Sequence, residues 1–160
     1  MRIGFGYDSH RFTDEPKPLV LGAVTFEGER GLKAHSDGDV VIHAIIDALL
    51  GAAALGDIGE HFPDTDEKWK GADSAKLLSS VAEEIAAKGY RLGNLDVTVI
   101  CERPKLRPKV EAMKARLAQL LDCPIDRLSL KGKTNEKMDD IGAGLGIEVH
   151  AVCLLEERHA

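Results

Sequence analysis

The sequence predicts an α+β fold, a two-layer sandwich in which a mixed sheet carries helices on one face. Two observations predict it: helical and strand-like segments are interleaved along the 160 residues, and hairpin-like strands stand at the start. Both favour this arrangement over a doubly wound sheet. No internal repeat, low-complexity tract or linker divides the chain, so residues 1–160 read as one domain of ordinary size.

Residues 2–12 read as a strand, and 19–27 as a second strand pair broken near Gly22. Residues 39–55 form a helix with Asp39 near its start as cap. From Val40 to Leu55 this helix is apolar almost all round, the mark of a buried helix. Its exceptions, Asp39, His43, Asp47 and Gly51, fall four apart on one stripe, and a buried polar stripe costs free energy unless its members find partners. An irregular stretch runs from Gly56 to Ala72. Asp73 then caps a helix to about Lys88, with Leu77, Leu78, Val81 and Ile85 at helical spacing and Gly89 as its stop. Residues 94–101 are a strand with partial alternation. Pro104 and Pro108 punctuate a basic loop, Val110, Met113, Leu117, Leu120 and Leu121 mark a third helix, 127–133 is a strand, and 146–156 a long closing strand.

Composition excludes several functions. A net charge of −6 argues against broad nucleic-acid binding, and 4% aromatic residues make a base-stacking platform a poor fit. No run approaches the ~18 uninterrupted apolar residues of a membrane span, and the N-terminus runs straight into a polar motif with no room for a signal peptide. Cys101, Cys123 and Cys153 are widely spaced without a CxxC pair, which suits packing roles in a reducing cytoplasm.

The chemistry gathers at Asp8 and His10. Side chains two apart on a strand share a face, so this carboxylate and imidazole can converge on one ion. With His43 they make a set suited to Zn²⁺, and three protein ligands leave the fourth position open, as in catalytic sites. Asp47 or Asp39 is the expected partner of the other His43 nitrogen. The alternative is that Asp8 caps a turn and the histidines are satisfied core groups. Downstream, Asp57 and Asp64 can accept hydrogen bonds from hydroxyls, Phe62 to Gly71 is long enough for a lid, and Asp66 suits a solvated turn. Glu102 to Lys109 can present cations to a phosphate or base. Lys131 to Glu136 can cradle a diphosphate, with Glu136 on Mg²⁺. The glycines from Gly142 to Gly146 precede a strand and match no dinucleotide fingerprint.

Together and in order, Asp8-Ser9-His10, Ala34-His35-Ser36-Asp37-Gly38-Asp39 with His43, Asp47 to Ala52, Gly56-Asp57-Ile58-Gly59, Phe62-Pro63-Asp64-Thr65-Asp66, Lys70 to Ser74 and Lys133-Thr134-Asn135-Glu136 resemble the 2-C-methyl-D-erythritol 2,4-cyclodiphosphate synthase family over the whole chain. The resemblance implies a lyase of the non-mevalonate isoprenoid pathway, a cytoplasmic homotrimer whose sheets pack around the trimer axis, with active sites between subunits. It assigns Asp8, His10 and His43 to one Zn²⁺ per subunit, and Glu136 to Mg²⁺ or Mn²⁺ on the diphosphate. His35 and Ser36 would bind phosphate, and Asp57, Gly59 and Asp64 the methylerythritol unit. Cys101, Glu102, Arg103, Pro104, Lys105, Leu106 and Arg107 with Gly132, Lys133 and Thr134 would form the cytidine pocket, largely through main-chain atoms. Ser9, Ile58, Phe62, Pro63, Thr65, Asp66 and Asn135 complete the implied binding set, and His35 and Thr134 would stabilise the transition state. One departure stands out: Ala143 and Leu145 replace an arginine and an acidic residue that line a central channel in the family, which implies poor prenyl diphosphate binding there.

The implied reaction is intramolecular: the 2-phosphate of 4-diphosphocytidyl-2-C-methyl-D-erythritol 2-phosphate closes onto the CDP group and expels CMP. Two other readings are a zinc phosphohydrolase and a trimeric isoprenoid-diphosphate-binding module with a structural metal.

Overall fold

The structure, a computed structural model, describes residues 1–158, so the last two positions of the expected 1–160 domain lie outside the described residues. In chain order the elements are β1 (Arg2–Arg11), β2 (Leu19–Leu21), β3 (Val24–Phe26), α1 (Val40–Ala53), α2 (Ile58–His61), α3 (Ser74–Ala87), β4 (Tyr90–Ile100), α4 (Val110–Leu120), β5 (Leu128–Lys133), α5 (Asp139–Gly142) and β6 (Gly146–Glu157). Four strands form one sheet in the order β1-β6-β4-β5. The β1–β6 and β6–β4 pairs are antiparallel and β4–β5 is parallel, so the sheet is mixed as expected. The parallel pair matters for function. It sets the loops that leave β4 and β5 side by side, with Ile100 opposite Lys133.

All three long helices lie on one face. Helix α1 crosses β1 and β6, α3 packs beside α1 and β4, and α4 covers β5. The apolar circumference of α1 is accounted for by this burial: Val41, Ile42, Ile45, Ile46 and Leu50 are fully enclosed between sheet and helices. The opposite face of the sheet is bare. Ile3, Phe5 and Tyr7 on β1 and Val152 on β6 are exposed by 71, 61, 46 and 38%.

Two glycines set how close α1 comes. Gly4 and Gly6 alternate inward on β1, and a β-carbon on either would stand 1.9 Å from a helix carbonyl oxygen, Ala48 for Gly4 and Ala44 for Gly6. The helix rests directly on strand backbone there.

Some boundaries differ from expectation. Strand β4 begins at Tyr90 rather than 94, because Gly89 (φ +83°) ends α3 in a left-handed turn that leads straight into the strand. The register shift between Leu92 and Asn94 is a bulge that hides the strand's early alternation. The stretch 56–72 contains α2 and a 3₁₀ turn, Glu67–Trp69. The break near Gly22 is a two-residue hairpin turn joining β2 and β3.

Candidate functional site

The inward face of β1 passes from Gly4 and Gly6 to Asp8 and His10, and His43 occupies the turn of α1 just before the carbonyls that contact those glycines. Strand alternation and close helix approach thus bring three side chains to one point. Asp8 Oδ2 lies 2.9 Å from His10 Nε2 and 3.0 Å from His43 Nδ1, and the two imidazole nitrogens are 3.3 Å apart. Among the described residues this is the one group of three ligand-bearing side chains close enough to share an ion. Three donors at about 2.0–2.1 Å from a tetrahedral ion stand about 3.3 Å from one another, so the observed triangle fits one face of such a site. The donor set, one carboxylate oxygen and two imidazole nitrogens, suits a divalent ion.

Each ligand is oriented from behind. Ser9 N–H donates to Asp8 Oδ1 at 2.8 Å, leaving Oδ2 for the histidines. His10 Nδ1–H donates to the Lys33 carbonyl at 2.9 Å, so that a neutral, metal-bound His10 would present its Nε2 lone pair to the ion. His43 Nε2 lies 3.0 Å from Ser74 Oγ and 3.1 Å from Ser36 Oγ. Burial raises the Asp8 pKa, but hydrogen bonds from His10 and His43 outweigh it and hold the carboxyl well below its ordinary range. Burial likewise opposes charge on His10, and the hydrogen bond to Asp8 overcomes it and raises the pKa.

The expected partners of His43 are not the observed ones. Asp39 caps α1 through Ile42 N–H and also accepts from Gly22 and Ala23 N–H, which ties the β2–β3 turn to the helix. Asp47 accepts from Ile58 N–H at 2.8 Å and fixes the start of α2, while Gly51 carries no side chain to pair. Ser74 and Ser36 supply the contact instead, and Asp37 accepts from Ser74; Ser74 and Asp37 are residues to which sequence reasoning gave no role of their own. The signal for them was the Asp73-Ser74 helix start, which points a hydroxyl inward at the first turn of α3.

Beside the triangle opens a cavity of about 400 Å³, lined by Asp8, His10 and His43 together with His35, Ser36, Ile58, Gly59, Phe62, Pro63 and Asp64 of the expected set. Trp69 also lines it. Its ring stands edge-on to Phe62 at 5.0 Å, and among the described residues its Nε1 is the buried side-chain polar atom without a hydrogen-bond partner. Asp57 is turned to α2, where its side chain accepts from Glu60 N–H. Asp66 caps the Glu67–Trp69 turn and pairs with Lys68. Ser9, Asp57, Thr65 and Asp66 are outside the cavity lining.

A second cleft of about 710 Å³ lies where β4 and β5 end. Cys101, Pro104, Lys105, Leu106, Arg107, Gly132, Lys133 and Thr134 line it, and it shares no lining residue with the first. The absence of a side chain at Gly132 admits Leu106, since a β-carbon there would stand 2.9 Å from Leu106 Cδ1. Burial pushes the Cys101 thiol up to about 11, so it is a neutral wall residue and no nucleophile. Glu102 accepts from Asn135 N–H at 3.1 Å and joins the two loops, and Thr134 Oγ1–H donates to Glu136 at 2.9 Å. Arg103 lines a neighbouring groove with Phe26 and Glu27. Among the described residues no helix is long and apolar enough to cross a membrane.

The YgbB family profile matches residues 1–156. A curated relative from Alcanivorax borkumensis, 2-C-methyl-D-erythritol 2,4-cyclodiphosphate synthase, is 54% identical across 99% of this chain and 98% of its own. Among solved structures, the bifunctional IspDF from Campylobacter jejuni superposes with a TM-score of 0.94 at 42% identity, over 98% of this chain and 42% of that longer one. Plasmodium falciparum IspF in complex with CDP superposes with a TM-score of 0.87 at 36% identity, over 99% of this chain and 97% of that one.

Proposed function

The chain belongs to the YgbB family, and from that premise we propose how its residues carry out the family's reaction. The function is 2-C-methyl-D-erythritol 2,4-cyclodiphosphate synthesis, a lyase reaction of isoprenoid biosynthesis. The single observation that carries the residue assignment is the Asp8–His10–His43 triangle opening onto a cavity walled by His35 and Ser36.

In the reaction, an oxygen of the 2-phosphate attacks the β-phosphorus of the CDP group. One P–O bond forms, the bond between the β-phosphorus and the α-phosphate oxygen breaks, and CMP leaves with that oxygen. The nucleophile is already anionic at neutral pH, so no general base is required. What the chain must do is fold the substrate onto itself and counter the repulsion between phosphates, a task for which orientation contributes on the order of 7–11 kcal/mol.

Asp8, His10 and His43 hold Zn²⁺, a Lewis acid that draws charge from phosphate oxygens when bound. His35 and Ser36 bind the 2-phosphate, and Gly59 and Asp64, with Asp57 nearby, take the methylerythritol unit. The second cleft takes the cytidine moiety through the main chain of residues 101–107 and 132–134, in keeping with the scarcity of aromatic side chains. Thr134 faces the diphosphate, and Glu136, hydrogen-bonded to Thr134, holds Mg²⁺ or Mn²⁺ beside it. His35 and Thr134 stabilise the transition state from opposite ends.

The protein assembles as a cytoplasmic homotrimer, in which the first cleft of one subunit meets the second cleft of its neighbour. Two features support this: the two clefts have no lining residue in common, and the bare sheet face of Ile3, Phe5, Tyr7 and Val152 is apolar enough to need a cover. The test is product identity. Incubation of the diphosphocytidyl substrate with protein, Zn²⁺ and Mg²⁺ should give a cyclic diphosphate and CMP by mass spectrometry. Inorganic phosphate or an open-chain product would instead indicate a hydrolase, and an absence of turnover a binding module.

A further inference from the structure

We propose that Ser74 and Asp37 form a positioning relay that fixes the tautomer of His43 and strengthens it as a metal ligand. The inference rests on the reading of Asp8, His10 and His43 as the metal ligands. His43 turns Nδ1 toward Asp8 and His10, and its Nε2 meets two hydroxyls at nearly equal distance, Ser74 Oγ at 3.0 Å and Ser36 Oγ at 3.1 Å. The surroundings of these hydroxyls differ.

Ser74 is fully buried. Its Oγ–H donates to Asp37 Oδ1 in a short hydrogen bond, and its backbone N–H donates to Asp37 Oδ2 at 2.9 Å. With its proton committed to the carboxylate, Ser74 Oγ has only lone pairs to offer His43. It therefore accepts from Nε2–H, and in the neutral ring that ligates a metal the lone pair is then on Nδ1, toward the metal position. Asp37 Oδ1 also accepts from Asp39 N–H at 3.1 Å, so the carboxylate that ends the chain meets three donors and stays in place. Asp37 N–H in turn donates to the Ala72 carbonyl at 3.0 Å, which holds the loop before α1 against the segment entering α3.

Ser36 is placed differently. Its Oγ accepts from Gly38 N–H at 3.2 Å and stands on the cavity wall, with no carboxylate among its hydrogen-bond partners and its own proton free for a ligand. The relay thus runs His43 Nε2–H to Ser74 Oγ–H to Asp37. A carboxylate at the end of such a chain polarises the imidazole and makes Nδ1 a better electron donor.

The experiment measures metal affinity and ligand field rather than activity. Zinc dissociation constants are determined by chelator competition for wild type, Ser74→Ala, Asp37→Asn, Ser36→Ala and His43→Ala, and visible spectra are recorded with Co²⁺ in place of zinc. Ser74→Ala and Asp37→Asn should bind zinc about 10–100-fold more weakly with altered cobalt bands, the loss usual for an outer partner of a ligating histidine. Ser74→Thr, which keeps the hydroxyl, should recover affinity, and Ser36→Ala should keep it. Wild-type affinity and spectra in both Ser74→Ala and Asp37→Asn overturn the relay, as does a larger loss in Ser36→Ala than in Ser74→Ala. If Ser74→Ala fails to fold, Asp37→Asn, which preserves shape, decides alone. Zinc retained by His43→Ala overturns the metal-site reading itself. An empty His43→Ala alongside unaffected relay variants overturns only the relay.

Discussion

A β-carbon on Gly6 would stand 1.9 Å from the carbonyl oxygen of Ala44, so the strand that carries Asp8 and the helix that carries His43 touch through bare backbone. His43 precedes Ala44 by one residue and Asp8 follows Gly6 by two, and this contact sets the 3.0 Å separation of Asp8 Oδ2 and His43 Nδ1. Gly6→Ala should push α1 outward. A loss of stability of about 1–3 kcal/mol, the usual range for overpacking, should accompany weaker zinc binding. Thermal unfolding and zinc titration read the two effects. An unchanged melting temperature with full zinc affinity would show that some other contact sets the spacing.

His43→Ala removes one donor of three. The variant should remain folded by circular dichroism, lose stoichiometric zinc by elemental analysis and lose nearly all activity, since two ligands hold a catalytic ion poorly.

Mixing two inactive variants tests whether the site is shared between subunits. Asp8→Ala damages the metal half and Glu136→Ala the diphosphate half, so each homotrimer should be inactive. In a closed ring of mixed subunits, one of three interfaces joins two intact halves. Co-refolding should recover up to about a third of wild-type activity per mixed trimer. A site contained in one chain cannot be repaired this way, and verified mixed trimers no more active than either parent would reject the shared site.

Asp39 gives the stability of the protein a pH dependence of predictable sign. Burial pushes its carboxyl up to about 6, against the pull of three backbone N–H groups. A folded pKa above the unfolded value of 3.8 means that the folded state binds more protons between pH 4 and 6. The corresponding stability is complete below pH 4 and is lost as pH rises through 6. Asp39→Asn cannot ionise and lacks this slope. The wild type should therefore lose roughly 2 kcal/mol relative to Asp39→Asn between pH 4 and 7, measured by denaturant unfolding with chelator present. A difference that stays flat over this range would mean that the backbone donors keep the carboxyl ionised throughout.

Ala143 sits exposed at the end of α5. If it stands where a cation would meet a diphosphate, binding of geranyl diphosphate should be weak and Ala143→Arg should tighten it in calorimetry. Submicromolar binding by the unaltered chain would contradict this.

Much of the site was legible because its signals are local. The two-residue spacing of Asp8 and His10, the apolar circumference of residues 40–55 and the capping of α1 and α3 by Asp39 and Asp73 follow from backbone geometry that each segment carries with it. The mixed sheet with helices on one face followed from the interleaving of such segments. The partners of His43 were not legible. The four-residue stripe named Asp39 and Asp47, yet both carboxylates are taken by backbone N–H groups arriving from Gly22, Ala23 and Ile58, while Ser74 and Ser36 reach His43 from other segments, Ser74 backed by Asp37. The bulge at Leu92/Asn94 was also out of reach, because it depends on strands that pair across dozens of residues. A periodicity fixes the face a side chain occupies. The group that meets it there is decided only when packing brings distant segments together, since a buried donor or acceptor pairs with whatever the tertiary fold delivers within hydrogen-bond distance.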